Sequence, residues 1–195
     1  GHALAGWPIA VIGPGTGLGA AGLVPTPAGP VVVASEAGHV SFAPGDALEL
    51  ALLEHLLQQH GHVSNDRLIS GPGLVPLARS LAAVTGRPLA ATTPEAVSRA
   101  AGAGSCAVCV EALGLFSAIL GAAAGDLALS FGAKGGVYVC GGLCGKLGPG
   151  FDHTRFRRRF EAKGRLQPFL AEIPVWHVVN PQTGLIGAAA HRFPA

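Results

Sequence analysis

The stretch Ile9-Ala10-Val11-Ile12-Gly13-Pro14-Gly15-Thr16-Gly17-Leu18-Gly19 runs from apolar, partly β-branched residues straight into a glycine-rich turn. Such a run favours extended, buried backbone, which predicts a strand over residues 8–13. Glycines let consecutive N–H groups converge on an anion, so Gly15, Thr16 and Gly17 form a candidate phosphate cradle beside the Thr16 hydroxyl. The residues after the turn decide which kind of cradle it is. Residues 20–25 return as a second strand, Pro25-Thr26-Pro27-Ala28-Gly29-Pro30 is turn chemistry, and Val31-Val32-Val33-Ala34-Ser35 is a third strand. Three strands joined by tight turns make an antiparallel meander. A dinucleotide fingerprint needs its glycine turn to open a helix, which this one does not, and no Gly-Lys-Ser/Thr phosphate loop follows.

Downstream, helical and extended patterns alternate. Asp46 is a plausible N-cap for a helix with Leu48, Leu50, Leu52, Leu53, Leu56 and Leu57 on its apolar side, ending by Gly61, with His55 and His60 at its surface. Helical spacing recurs over residues 74–81. Thr92-Thr93-Pro94-Glu95 opens a further helix over residues 96–103, and Ser105 is expected to cap a long apolar helix through Leu129. Residues 135–142 read as a buried strand ending in Gly141-Gly142, residues 155–163 as a helix, 173–179 as a strand and 184–191 as a short closing helix. This pattern predicts one α/β domain over residues 1–195, with a mixed sheet, an N-terminal antiparallel meander and flanking helices.

Composition narrows the function. Almost half the residues are apolar and 12% are charged, so part of the surface is expected to lie against further chain. The absence of Met and the Gly1-His2 start also predict a piece of a longer protein. A net charge of +2 carries no nucleic-acid signal. The cluster Thr154-Arg155-Phe156-Arg157-Arg158-Arg159-Phe160 reads as an amphipathic helix with a solvated basic face. The apolar run from Ala112 to Gly125 is shorter than a bilayer span and closed by Glu111 and Asp126, so a soluble, cytoplasmic protein with a buried helix is expected. Cys106/Cys109 and Cys140/Cys144 could offer four thiolates to zinc, but their apolar settings favour reduced core thiols and no metal site.

Taken in order, Gly15-Thr16-Gly17-Leu18-Gly19, Glu36-Ala37-Gly38-His39-Val40-Ser41-Phe42-Ala43-Pro44, Gly61-His62-Val63-Ser64, and Leu68-Ile69-Ser70-Gly71-Pro72-Gly73-Leu74-Val75 resemble bacterial glucokinases over nearly the whole chain. Gly135-Gly136-Val137-Tyr138-Val139-Cys140-Gly141-Gly142 and Gly184-Leu185-Ile186-Gly187-Ala188-Ala189-Ala190-His191 extend the likeness. The resemblance implies the actin-like ATPase, ribonuclease H-like fold of hexokinases, and within it the large C-terminal lobe without the small N-terminal one. It implies ATP-dependent phosphorylation of glucose at the 6-hydroxyl, the first step of glycolysis, with Mg²⁺ and with two lobes closing over both ligands.

Carried over residue by residue, the resemblance places phosphate contacts on Gly15, Thr16 and Gly17, sugar hydroxyls on Glu36 and His39, and the adenosine turn on Gly141 and Gly142. A carboxylate accepts from vicinal hydroxyls while imidazole donates or accepts, which suits a polyol. Ala37 replaces the family's first motif glycine, a change that negative φ tolerates and left-handed backbone resists. Asp66 falls at a second sugar-binding glutamate, one methylene shorter, which allows a different hexose. The family's base is an aspartate in an Asn-Asp pair of the missing lobe. Asn65-Asp66 follows His-Val-Ser at the sugar position and is rejected as that base, so no catalytic residue is assigned here and the chain alone is expected to be inactive. The alternatives are a non-catalytic sugar or nucleotide module, or a kinase for another hexose. The expected partners are glucose, ATP and the missing lobe; a homodimer is compatible, and neither nucleic acid nor a membrane is expected.

Overall fold

A computed structural model describes residues 1–180 and 182–190. Its sheet contains β1 (Ile9–Pro14), β2 (Leu18–Val24), β3 (Val31–Ser35), β4 (Gly136–Val139) and β5 (Val175–His177), in the order β3-β2-β1-β4-β5. The β1–β2 and β2–β3 pairs are antiparallel, whereas β1–β4 and β4–β5 are parallel. The meander and mixed sheet expected from the sequence are therefore present. Val31, Val32 and Val33 are exposed on the edge strand.

Helices α1 (Ala47–Leu57), α2 (Asn65–Leu68), α3 (Leu74–Thr85), α4 (Pro94–Gly102) and α5 (Ala107–Phe131) fill the long connection between β3 and β4. After β4 come α6 (Gly142–Leu147), α7 (His153–Glu161) and α8 (Gln167–Ala171), and α9 (Thr183–Ala190) follows β5. Of the expected closing helix, His191 lies outside the described residues. Asp46 accepts from the Glu49 N–H and Thr93 from the Ala96 N–H, as capping chemistry predicts. Thr93→Ala should lower stability by about 1 kcal/mol, read as a lower urea midpoint with an unchanged slope.

Several expectations are corrected. Of the α1 leucines only Leu52 and Leu56 are buried outright, while Leu50 and Leu57 face outward because the other side of the helix is solvated. His55 is half-buried, with Nδ1 3.2 Å from the hydroxyl of buried Ser80. Ser105 does not cap α5: its hydroxyl donates to the Ala100 carbonyl, and the Cys106 sulfur accepts from the Cys109 N–H instead. The helix is also longer than its uncharged run. Its 25 residues are long and apolar enough to cross a bilayer, yet 83% of the most apolar window is buried by protein. Phe116, Ile119 and Leu120 place α5 at the centre of the core.

The basic face of α7 is only partly solvated: Arg158 is exposed, but the other arginines are engaged. Arg155 forks onto the Glu111 carboxylate at 2.7 and 3.0 Å, Lys163 pairs with Asp126, and Arg157 donates to the carbonyls of Leu170, Ala171 and Ile173. Arg159 meets buried Glu49 at 2.7 Å. Burial raises the Glu49 pKa against the lowering effects of the Gly45 N–H and Arg159. Most of the positive charge that sequence alone assigns to solvent, that of Arg155, Arg157 and Arg159, is spent on docking α7 to α1, α5 and α8. Close approach to α5 is allowed by Gly121 and Gly125, where a Cβ would overlap the carbonyls of Phe156 and Phe160.

Candidate functional site

The β1–β2 turn lies at the carboxyl end of β1, beside the same end of its parallel neighbour β4, where open α/β sheets form their ligand crevices. Register fixes this arrangement, because Ile12 lies opposite Val139 and its carbonyl accepts from the Cys140 N–H at 2.8 Å. The glycine-threonine turn and Gly141-Gly142 are thus set side by side, although more than a hundred residues separate them in sequence.

The turn is held from three directions. Within it, the Gly15 N–H donates to the Gly17 carbonyl at 2.7 Å and leaves Thr16 exposed at the tip. From α3's approach, the Gly71 N–H donates to the Gly15 carbonyl at 2.7 Å. From α2, Asp66 Oδ1 accepts the Leu18 N–H at 2.6 Å, a charge-assisted bond that fixes where β2 begins. The single-turn helix α2 is capped by Ser64, whose hydroxyl accepts from the Arg67 N–H at 3.3 Å. Helical periodicity does not reveal so short an element, and the sequence reading passes over it.

Gly141 has a demanding position. Its φ is +95°, and a Cβ there would overlap the Pro14 carbonyl oxygen. Glycine is therefore required at Gly141 by packing between β1 and β4. Gly142 differs, since nothing lies within 4 Å of the place its Cβ would occupy. The open space sits beside Gly142 at the start of α6.

Glu36 precedes and His39 ends a 3-10 turn over Ala37–His39, closed by the His39 N–H donating to the Glu36 carbonyl at 2.9 Å. Ala37 does not adopt positive φ, as no non-glycine residue does among those described, so alanine fits this turn without strain. Gly38 is buried against the Leu18 carbonyl, which a Cβ would overlap. Leu18 thus binds Asp66 through its N–H and packs Gly38 against its C=O. The Glu36 carboxylate lies 3.9 Å from His39 Nε2, and both side chains are exposed. A contact so long and so solvated holds neither group firmly, leaving both able to turn toward a ligand. The segment itself is secured by the Phe42 N–H to the Val63 carbonyl, the Asn65 N–H to the Val40 carbonyl, and His62 Nε2, 3.1 Å from the His39 carbonyl.

Between the turn and Gly142 opens a cleft of about 800 Å³, whose lining includes Thr16, Arg79, Thr92, Glu95 and Lys146. Arg79 on α3 and Lys146 on α6 are residues the sequence reading missed. Lone cations on helices carry no distinctive spacing, and only the fold brings them to the turn. Two cations, a hydroxyl and a glycine turn suit the polyphosphate of a nucleotide. No group of three or more His, Cys, Asp or Glu side chains that could hold a metal occurs among the described residues. The donor set therefore fits Mg²⁺ only as an ion carried mainly by phosphate oxygens, a usual arrangement for this cation.

Comparison with known proteins follows the same outline. A family model described as Glucokinase matches residues 1–193. The glucokinase of Chromobacterium violaceum is 47% identical over 184 residues, covering 94% of this chain and 53% of that protein. Among solved structures, a glucokinase from an Antarctic psychrotroph superposes with a TM-score of 0.91 at 41% identity, covering 97% of this chain and 59% of that one. A ROK family glucokinase from Streptomyces griseus, solved with glucose and AMPPNP, shares the fold at a TM-score of 0.62 and 23% identity, covering 95% and 60%. The chain spans about half the length of the curated relatives it matches.

Proposed function

Because this chain belongs to the glucokinase family, we propose that the protein it builds transfers the γ-phosphoryl group of ATP to the 6-hydroxyl of glucose in the cytoplasm. In this reading the chain is the larger lobe of that kinase, holding most of the sugar and the floor of the nucleotide site. It acts with the remaining half of the relatives' length, as a monomer or a homodimer. The observation that carries the reading is the shared turn. Asp66 anchors it on the side of Glu36 and His39, and Gly141 packs against it on the side of the cleft.

Glu36, His39 and the free oxygen of Asp66 would meet sugar hydroxyls, while Gly15, Thr16 and Gly17 would meet phosphates with help from Arg79 and Lys146. ATP, with Mg²⁺ balancing its charge, supplies the phosphoryl group. Proton removal from the sugar hydroxyl calls for a carboxylate base. Asp66 is already committed through Oδ1 to Leu18, so the base is assigned to the part of the relatives' length that this chain does not span.

A coupled assay on the longest natural form of the protein tests the proposal: glucose 6-phosphate should appear with ATP, and not from the 195-residue chain alone. Glucose-dependent turnover by the isolated chain, or none by the longest form, would sink it. Glu36→Gln should raise the KM for glucose about tenfold and leave nucleotide affinity unchanged.

A second reading, a preference for another hexose, is favoured by the same Asp66 bond. A shorter carboxylate drawn toward Leu18 presents less of itself to the sugar. A substrate panel including mannose and glucosamine decides it, since kcat/KM higher than for glucose with either sugar would replace the glucose assignment.

A further inference from the structure

Cys106 and Cys109 form a C-x-x-C pair at the start of the longest helix in the described structure, and the proposed kinase chemistry uses neither. Cys106 is the N-cap of α5, with extended backbone and a sulfur that accepts the Cys109 N–H at 3.4 Å. It is half-buried beside exposed Gly104, Ser105 and Ala107, whereas Cys109, one turn on, is fully buried. A sulfur 3.4 Å from the Cys109 nitrogen lies beside the Cys109 side chain, so the two thiols are near enough for a disulfide to form with local adjustment. We propose that Cys106 and Cys109 are a dithiol–disulfide couple, in which Cys106 attacks a small external disulfide and Cys109 resolves the product.

The division of labour follows from environment. The Cys106 pKa is lowered, first by the hydrogen bond that Cys109 offers its sulfur and then by the Cys109 N–H. An anion at the head of a 25-residue helix is further favoured by the helix dipole. Burial, and then Cys106 itself, push the Cys109 thiol up to about 12, so it stays protonated until it resolves. The other two cysteines serve as an internal comparison. Burial raises both, Cys144 to about 12 despite the hydrogen bond from its own N–H, and in neither case does a second cysteine lower the pKa.

The step balances with glutathione disulfide as oxidant. The Cys106 sulfur bonds to one glutathione sulfur, the external S–S bond breaks, and one glutathione leaves as thiolate. Cys109 gives up its proton to solvent or to that thiolate and attacks the Cys106 sulfur, releasing the second glutathione. Two protein thiols are oxidised and one disulfide is reduced to two thiols.

The test exposes the longest natural form of the protein to glutathione buffers of increasing oxidation, followed by acid quenching, alkylation and peptide mass mapping. The expected product is a peptide bridge between Cys106 and Cys109 that has lost two hydrogens. Cys109→Ala should accumulate a glutathione adduct on Cys106, and Cys106→Ser should form neither bridge nor adduct at this helix. Cys140 should react roughly tenfold more slowly than Cys106. Because Cys109 is a core residue, brief exposure of the unsubstituted protein traps the same mixed disulfide without any variant. The proposal is overturned if both thiols remain free after Cys140 has reacted. It is equally overturned if Cys109 in the Cys106→Ser variant takes glutathione as fast as Cys106 does in Cys109→Ala.

Discussion

Replacing Asp66 by alanine should lower kcat/KM for glucose by about two orders of magnitude in the longest natural form of the protein, and should weaken ATP binding as well. The double effect follows from one bond. Asp66 Oδ1 accepts the Leu18 N–H at 2.6 Å, and Leu18 begins the strand that leaves the glycine-threonine turn. Alanine strands that N–H in a partly buried place, at a cost of about 1–3 kcal/mol, and frees Gly15, Thr16 and Gly17 to shift from the position in which Asp66 holds them. It also removes the oxygen proposed for the sugar. Asp66→Asn separates the two roles, because an amide oxygen still accepts from Leu18 but carries no charge. Calorimetry should find ATP affinity within a few-fold of the unsubstituted protein in Asp66→Asn, with glucose affinity reduced. Unchanged ATP affinity in Asp66→Ala would show that this carboxylate does not position the turn.

Gly141→Ala should destabilise the fold by about 2–5 kcal/mol, seen as a large fall in the urea midpoint. Two costs combine there. A φ of +95° is strained for any L side chain, and the new methyl would overlap the Pro14 carbonyl across the β1–β4 seam. Relief requires the strands to part at the end that carries the turn proposed for phosphate, so nucleotide binding should fall with stability. Gly142→Ala is the matched control. Its methyl meets nothing within 4 Å, so stability should change by less than about 0.5 kcal/mol while nucleotide affinity falls from crowding of the cleft. Equal midpoints for Gly141→Ala and the unsubstituted protein would refute the packing argument.

The elements that the sequence discloses are those whose signals are local. The meander is legible because a glycine-rich turn and Pro-Thr-Pro-Ala-Gly-Pro separate three short apolar runs, and the caps at Asp46 and Thr93 because side-chain oxygen chemistry acts within three residues. What stays hidden depends on distant chain. The arginines of α7 spell a solvated face until Glu111 on α5 and Glu49 on α1 supply partners 44 and 110 residues away. Asp66 reads as a sugar ligand by its place in the motif, while its bond to Leu18 spans 48 residues and leaves no trace in either local sequence. Arg79 and Lys146 are surface cations until the crevice assembles around them. Resemblance to a family recovers the order of the motifs, but not which glycine is needed for packing and which leaves room.

The glycine-lined groove of α5 also bears on biosynthesis. Until the ribosome has delivered α7, with Phe156 and Phe160, the face carrying Gly121 and Gly125 has nothing to close it, and the nascent chain presents a helix that passes for a membrane segment. Chaperone dependence and misrouting during synthesis should therefore concentrate in the interval between the emergence of α5 and that of α7, and should end when Arg155 reaches Glu111.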